Sequence, residues 1–127
     1  MDSPRVAIVR EAYRLANSED LSGLLTLLDD DVEFPDPIHG TIVRGKEEGA
    51  QLWHRVQAAE HVLMPGQVVE FGDAVIAVVH HQVYERDGGP LAGITEVHRF
   101  TFRDGRIARM DVTTLEELPE AVWERLG

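Results

Sequence analysis

Residues 13–37 run YRLANSEDLSGLLTLLDDDVEFPDP, and within these letters the chain turns from helix to strand. Asn17, Ser18, Glu19 and Asp20 form a polar break that closes a first helix. Asp20 is placed to accept from the free backbone N–H groups of a second helix, whose Leu21, Leu24, Leu25 and Leu28 fall on one stripe. The run Asp29 to Asp31 ends that helix, and Val32 to Phe34 reads as a short strand. Pro35 and Pro37 lack backbone donors, so they stop regular pairing and leave a rigid extended segment.

On the N-terminal side, Ser3 and Pro4 read as a cap followed by proline at the first helical position. Val6, Val9, Tyr13 and Ala16 then recur at helical spacing, which carries helix one to about Ala16. On the C-terminal side, Gly45 to Glu48 leads into a third helix with Leu52, Trp53 and Val56 as its apolar stripe, expected to end near Ala59. Glu47 and Glu48 suit its first turn, where the helix dipole favours acids.

Beyond Pro65 and Gly66 the period changes to two. Strands are expected over Val68 to Phe71, Ala74 to Tyr84, Ile94 to Phe102 and Ile107 to Thr114. The turns between them fall at Gly72 and Asp73, at Asp87 to Pro90, and at Arg103 to Arg106, which makes an antiparallel meander. Leu115 to Leu126 is expected as a terminal helix with Pro119 near its start. Helices followed by strands, rather than strict alternation, define an α+β class in which helices cover one sheet face and leave a concavity between the layers.

A chain of 127 residues has room for one core, so residues 1–127 are expected to form a single domain. With 12 Lys and Arg against 23 Asp and Glu, the net charge of −11 repels phosphate backbones and argues against a nucleic-acid partner. The chain has no cysteine, so thiolate chemistry, disulfides and cysteine-bound metals are excluded. Charges interrupt the apolar residues near the N-terminus, with no stretch of signal or membrane-span length, so the reading is a cytoplasmic protein with no membrane partner. The sequence carries no glycine-rich phosphate loop, no Gly-x-Ser-x-Gly elbow and no nicotinamide fingerprint, and no cofactor is expected. Six histidines invite a metal reading, but no His-Glu-x-x-His helix or other tight ligand spacing occurs, so no metal is expected either.

Residues 13–37, then Val43 to Lys46, and FTFRDGRI at 100–107, resemble the nuclear transport factor two-like superfamily, in particular its SnoaL-like polyketide cyclase and ketosteroid isomerase-like branch. The resemblance implies a cone-shaped domain of about three N-terminal helices packed on a strongly curved, mainly antiparallel sheet that encloses a pocket for a small hydrophobic ligand. Relatives of this kind are commonly dimers, which implies a homodimer, and the sheet face bearing Arg99 and Arg109 would be the surface that pairs. One fold of this kind hosts many activities, so the activity has to be argued from the site.

Asp36 falls where ketosteroid isomerase-like enzymes carry their general base. The residues themselves agree: flanking prolines favour extended backbone, and Phe34 and Ile38 are apolar neighbours that would raise the carboxyl's pKa. The bland alternative is an ordinary turn aspartate, because Asp-Pro is also turn chemistry. By the same count the family's oxyanion tyrosine falls at Ala12, one residue before Tyr13. A one-residue step rotates a helical side chain by about 100°, so Tyr13 reaches the pocket only if the register differs. The family's second oxyanion donor, a protonated aspartate, is replaced by His98, which donates whether neutral or charged.

Period two puts Glu96, His98, Phe100 and Phe102 on one face, and Met110 faces the same way on the last strand. Turned inward, this face sets a Glu96 and His98 dyad among aromatics; the opposite assignment turns Val97 inward and leaves the dyad in solvent. Phe100 and Phe102 favour the first. His80 and His81 point oppositely, and aligning Val78 with the relatives' apolar wall selects His80 with Gln82 for the pocket and leaves His81 outside. Trp53, on a helical stripe, is expected to bury against the sheet, where it could also form a pocket wall.

The expected function is a cofactor-independent enzyme acting on a small hydrophobic carbonyl compound, with Asp36 moving a proton and His98 stabilising the enolate, by isomerisation or aldol-type cyclisation. The alternatives are hydrolysis of an epoxide or other small substrate with Asp36 orienting water, and a noncatalytic ligand-binding or dimerisation module.

Overall fold

The computed structural model describes residues 2–36 and 39–126. Ser3 Oγ accepts from the Val6 backbone N–H at 3.2 Å, and Pro4 opens helix α1 (Pro4–Asn17). Helix α1 buries Val6, Val9, Ala12, Tyr13 and Leu15. Asp20 Oδ1 accepts from Gly23 N–H at 2.9 Å and caps α2 (Leu21–Thr26).

Helix α2 stops two residues before the expected stripe does, and Leu28 instead opens strand β1 (Leu28–Asp36). Leu28 is buried there too, so its apolar character served a strand rather than a fourth helical contact. Pro35 does not end pairing: it lies inside β1 and faces Ile42 of β2 (Thr41–Arg44), a strand without a sequence expectation. Pro35 is tolerated in the ladder because a proline loses only its N–H and keeps its carbonyl. Pro37 and Ile38, expected to shape the surroundings of Asp36, lie outside the described residues.

Helix α3 (Lys46–Val56) has its acidic first turn at Glu47 and Glu48 and ends before Ala59, which already belongs to β3 (Ala59–Phe71). The meander continues with β4 (Ala74–Glu85), β5 (Pro90–Arg103) and β6 (Arg106–Thr113). Asp104 and Gly105 take φ of 52° and 78° in the β5–β6 turn, the left-handed pair that two-residue hairpin turns demand. The C-terminal segment is a short 3-10 turn at Leu115–Glu117 followed by α4 (Glu120–Leu126), so Pro119 separates two pieces of the expected helix.

The strands form one sheet in the order β2-β1-β6-β5-β4-β3, antiparallel except where β1 runs parallel to β6. Register shifts at Pro65/Val68, at Thr101/Phe102 and between Leu28 and Glu33 break the ladders, and such bulges bend a sheet. The main core lies between the sheet and α1, where Val75, Ala77, Val79 and Phe100 meet Val6, Val9 and Tyr13. A smaller core lies on the opposite face, where Val122 and Leu126 of α4 cover Ile76 and Val97. The outer sheet face, which also bears Arg99, is therefore partly covered by α4. Among the described residues, no helix is long and apolar enough to cross a membrane.

Candidate functional site

Helices α1, α2 and α3 leave the sheet uncovered over a cavity of about 510 Å³. Most of its wall is apolar, with Leu24, Leu25, Leu52, Trp53, Phe100 and Met110 among its residues. The polar groups gather on one side: Tyr13 from α1, His61 from β3, His81 from β4, and Glu96 and His98 from β5, with Gln57 beyond the end of α3.

These five titratable side chains form an unbroken line. Tyr13 Oη lies 2.8 Å from His98 Nδ1, and His98 Nε2 lies 3.2 Å from Glu96 Oε1. The same Glu96 oxygen lies 3.1 Å from His81 Nδ1, and His81 Nε2 lies 2.9 Å from His61 Nδ1. His61 Nε2 then donates to the carbonyl of Val56 at 2.9 Å. Rings hold the line in place: Tyr13 stacks on His98 at 5.8 Å between centroids and meets Phe100 edge-on at 5.9 Å.

His98 is 3% exposed and Tyr13 4%. Loss of solvent, and secondarily the Glu96 charge, pushes the Tyr13 phenol far above its ordinary pKa, so it stays protonated. Hydrogen bonds from His81 and His98 hold Glu96 down at about 2, against partial burial, so it stays ionised. His61 is pushed down, chiefly by burial, with repulsion from His81 and Arg86 adding to it.

Of the residues expected to form the pocket, Tyr13, Trp53, Glu96, His98, Phe100 and Met110 line it. Tyr13 faces inward although the family count falls on Ala12; Ala12 lines the cavity as well, because the helix presents both positions to it. His80 and Gln82 do not line it; His81 does. The β4–β5 register explains the correction: Val79 faces Glu96 and Ala77 faces His98, so the odd residues of β4 share the cavity face with the even residues of β5. Val78, taken as the apolar wall, belongs instead to the core under α4.

Asp36 is buried at 4% exposure, yet the β1 part of the cavity wall is Leu28, Phe34 and Pro35 without it. Its carboxylate accepts from the His39 backbone N–H at 3.2 Å, meets His39 Nδ1 at 2.9 Å and has Arg55 at 3.8 Å. Asp36 and His98 therefore do not share the cavity wall as the expected pair would. His98 has both ring nitrogens engaged, by Tyr13 and Glu96. His61 escaped sequence reasoning altogether, since it precedes the strand expected to begin at Val68. Among the described residues no cluster could hold a metal ion.

A helix-roofed, curved sheet closing on an apolar cavity with one polar wall is the form of a small-ligand domain. The chain belongs to the SnoaL-like domain family, whose family model matches residues 9–110. A comparison with curated proteins found no match. Among solved structures it is similar to a nuclear transport factor two-like protein of unknown function from Burkholderia pseudomallei, 25% identical over 98% of both chains with a TM-score of 0.79. It is also similar to TerC, co-crystallised with polyporic acid, at 23% identity over 98% of both chains and a TM-score of 0.77. A Mycobacterium tuberculosis protein in complex with estradiol-17β-hemisuccinate matches at 20% identity, over 91% of this chain and 97% of that one, with a TM-score of 0.77.

Proposed function

We propose that this SnoaL-like chain is an acid–base enzyme that moves a proton on a small hydrophobic carbonyl compound, isomerising or cyclising it with Tyr13, His98 and Glu96. The observation that carries the reading is the Tyr13, His98 and Glu96 line on the one polar side of an otherwise apolar cavity. The cavity volume of about 510 Å³ falls in the range of small-molecule sites. Structural relatives crystallised with polyporic acid and with an estradiol hemisuccinate support a small organic ligand here.

The hydrogen positions follow from the acceptors. Ionised Glu96 only accepts, so His98 carries its hydrogen on Nε2 and uses Nδ1 to accept from the Tyr13 phenol. A substrate hydrogen presented to Tyr13 Oη breaks its bond to carbon and forms an O–H. At the same time the phenol's own hydrogen leaves Oη and forms an N–H on His98 Nδ1. The resulting imidazolium lies against the Glu96 carboxylate, which is why a carboxylate that stays ionised suits this place. In that state His98 donates to Oη, so the phenol hydrogen turns to the ligand and stabilises a developing enolate oxygen or returns to carbon. The raised Tyr13 pKa fits a hydroxyl that passes hydrogen on rather than resting as tyrosinate.

Hydrogen–deuterium exchange tests this, with a panel of aryl and polycyclic ketones followed in heavy water by NMR. Wild type should exchange the acidic carbon position of at least one member. Tyr13→Phe should slow that exchange about 100-fold or more, the scale of a lost acid–base group, while Asp36→Asn keeps it. The reverse pattern would return Asp36 to the role of base. Tight binding without exchange in wild type would make the chain a ligand carrier.

A further inference from the structure

We infer that His61 and His81 together store one proton at the cavity wall, and that this stored charge fixes the protonation state of Glu96, His98 and Tyr13. The inference rests on the same polar wall as the proposed function but on a separate observation, a count of hydrogens along it.

Five contacts lie in sequence from the Val56 carbonyl to Tyr13 Oη, each between 2.8 and 3.2 Å. A contact at that separation between two electronegative atoms is a hydrogen bond only if one hydrogen lies in it. Five contacts therefore need five hydrogens. Three neutral histidines contribute three, the Tyr13 phenol contributes a fourth, and an ionised Glu96 contributes none. The line is one hydrogen short unless it holds one more proton than these forms supply.

The missing hydrogen has a defined place. The Val56 carbonyl only accepts, which fixes a hydrogen on His61 Nε2. Glu96 Oε1 accepts from both sides, which fixes hydrogens on His81 Nδ1 and His98 Nε2. Only the contact between His61 Nδ1 and His81 Nε2 is left to fill, so one of these two rings carries hydrogens on both nitrogens. Burial and the repulsion of Arg86 disfavour the charge on His61, whereas His81 lies directly against Glu96. Among the described residues, Glu96 on β5 meets His81 directly and Arg86, after β4, acts on His61, while His98 on β5 and Tyr13 on α1 continue the line beyond Glu96. The imidazolium is therefore His81, and its charge balances Glu96 within the cavity wall.

His61 and His81 act as positioning residues. By holding Glu96 ionised they keep the hydrogen of His98 on Nε2, which leaves Nδ1 open to the phenol of Tyr13. Glu96→Gln gives a sharp contrast, because its amide nitrogen has two hydrogens to give. Turned toward the two rings, that amide fills both contacts itself. All three histidines are then neutral, and His98 must move its hydrogen to Nδ1.

Nitrogen NMR of histidine-labelled protein without ligand, at pH 7, reads this directly. Among the three rings of the line, wild type should show one that is doubly protonated, His81, with His61 neutral and His98 carrying hydrogen on Nε2 alone. His81→Asn identifies the signal by removing it. Glu96→Gln should lose the doubly protonated signal that His81→Asn identifies and shift His98 to the Nδ1–H form. Two neutral rings at His61 and His81 in folded wild type would overturn the inference, as would a Glu96→Gln spectrum that keeps the imidazolium. None of these readouts depends on turnover, so a protein that stores the proton yet exchanges no ketone sinks the proposed function alone.

Discussion

Glu96 accepts from His81 and His98 through a single oxygen, and that arrangement makes a carboxylate in an apolar wall tolerable. Its consequence for stability has a definite sign. The unfolded chain takes up a proton on Glu96 near its ordinary value of 4.5, whereas the folded chain resists until about 2. The resulting stabilisation is whole above 4.5 and is lost as pH falls from there toward 2. Thermal melts should therefore show wild type losing its advantage over Glu96→Gln across this window, and a constant difference in Tm would contradict it. His61, whose pKa is lowered, adds to the same trend, since its neutral folded form is penalised once the unfolded ring begins to charge below 6.5. The dyad of Glu96 and His98 was legible from alternation with Phe100, because an aromatic strand face has to turn inward. The inward turn of Tyr13 was legible from its helical spacing with Val6 and Val9, but not from the family count, which falls on Ala12 because such a count on a helix is uncertain by one position.

Helix α3 reaches the sheet at Gly49. A Cβ there would lie 2.6 Å from Cζ of Phe34, a residue that lines the cavity. Gly49→Ala gains helix propensity worth about 1 kcal/mol, so its Tm should change little. The Phe34 ring must yield to the new methyl, and overpacking of this kind costs about 1–3 kcal/mol where the wall has a required shape. Calorimetry with a bound ketone should then show affinity falling about tenfold while the fold persists, and unchanged affinity would place Phe34 away from the ligand. At this scale the helix starts at Ser3 and Asp20 and the turns at Gly72 and Asp104 were legible, because caps and left-handed backbone have local residue signatures. The face of β4 was not. Residues 74–79 are apolar throughout, since one face meets α1 and the other meets α4, so alternation vanishes where both sides are covered.

The sheet carries two cores, one on each face, and only the larger borders the cavity. Val122, 2% exposed, plugs the smaller one between α4 and the strands. Val122→Ala should lower stability by about 2 kcal/mol in a denaturant titration. Ligand affinity should stay within about twofold, because the cavity lies across the sheet and distant sites act independently. A large loss of affinity would mean that α4 and the cavity are coupled through the sheet. Composition, caps, alternation and the spacing of Leu21 to Leu25 sufficed, by themselves, for an α+β chain with helices over a meander, because each depends on neighbours a few residues away. The parallel seam of β1 on β6, the strand at Thr41–Arg44, the exclusion of Asp36 from the cavity wall and the meeting of His61, His81, Glu96, His98 and Tyr13 were decided only by the tertiary structure. Each of those depends on which residue of one strand faces which residue of another, and a register is set by the packing of the whole sheet.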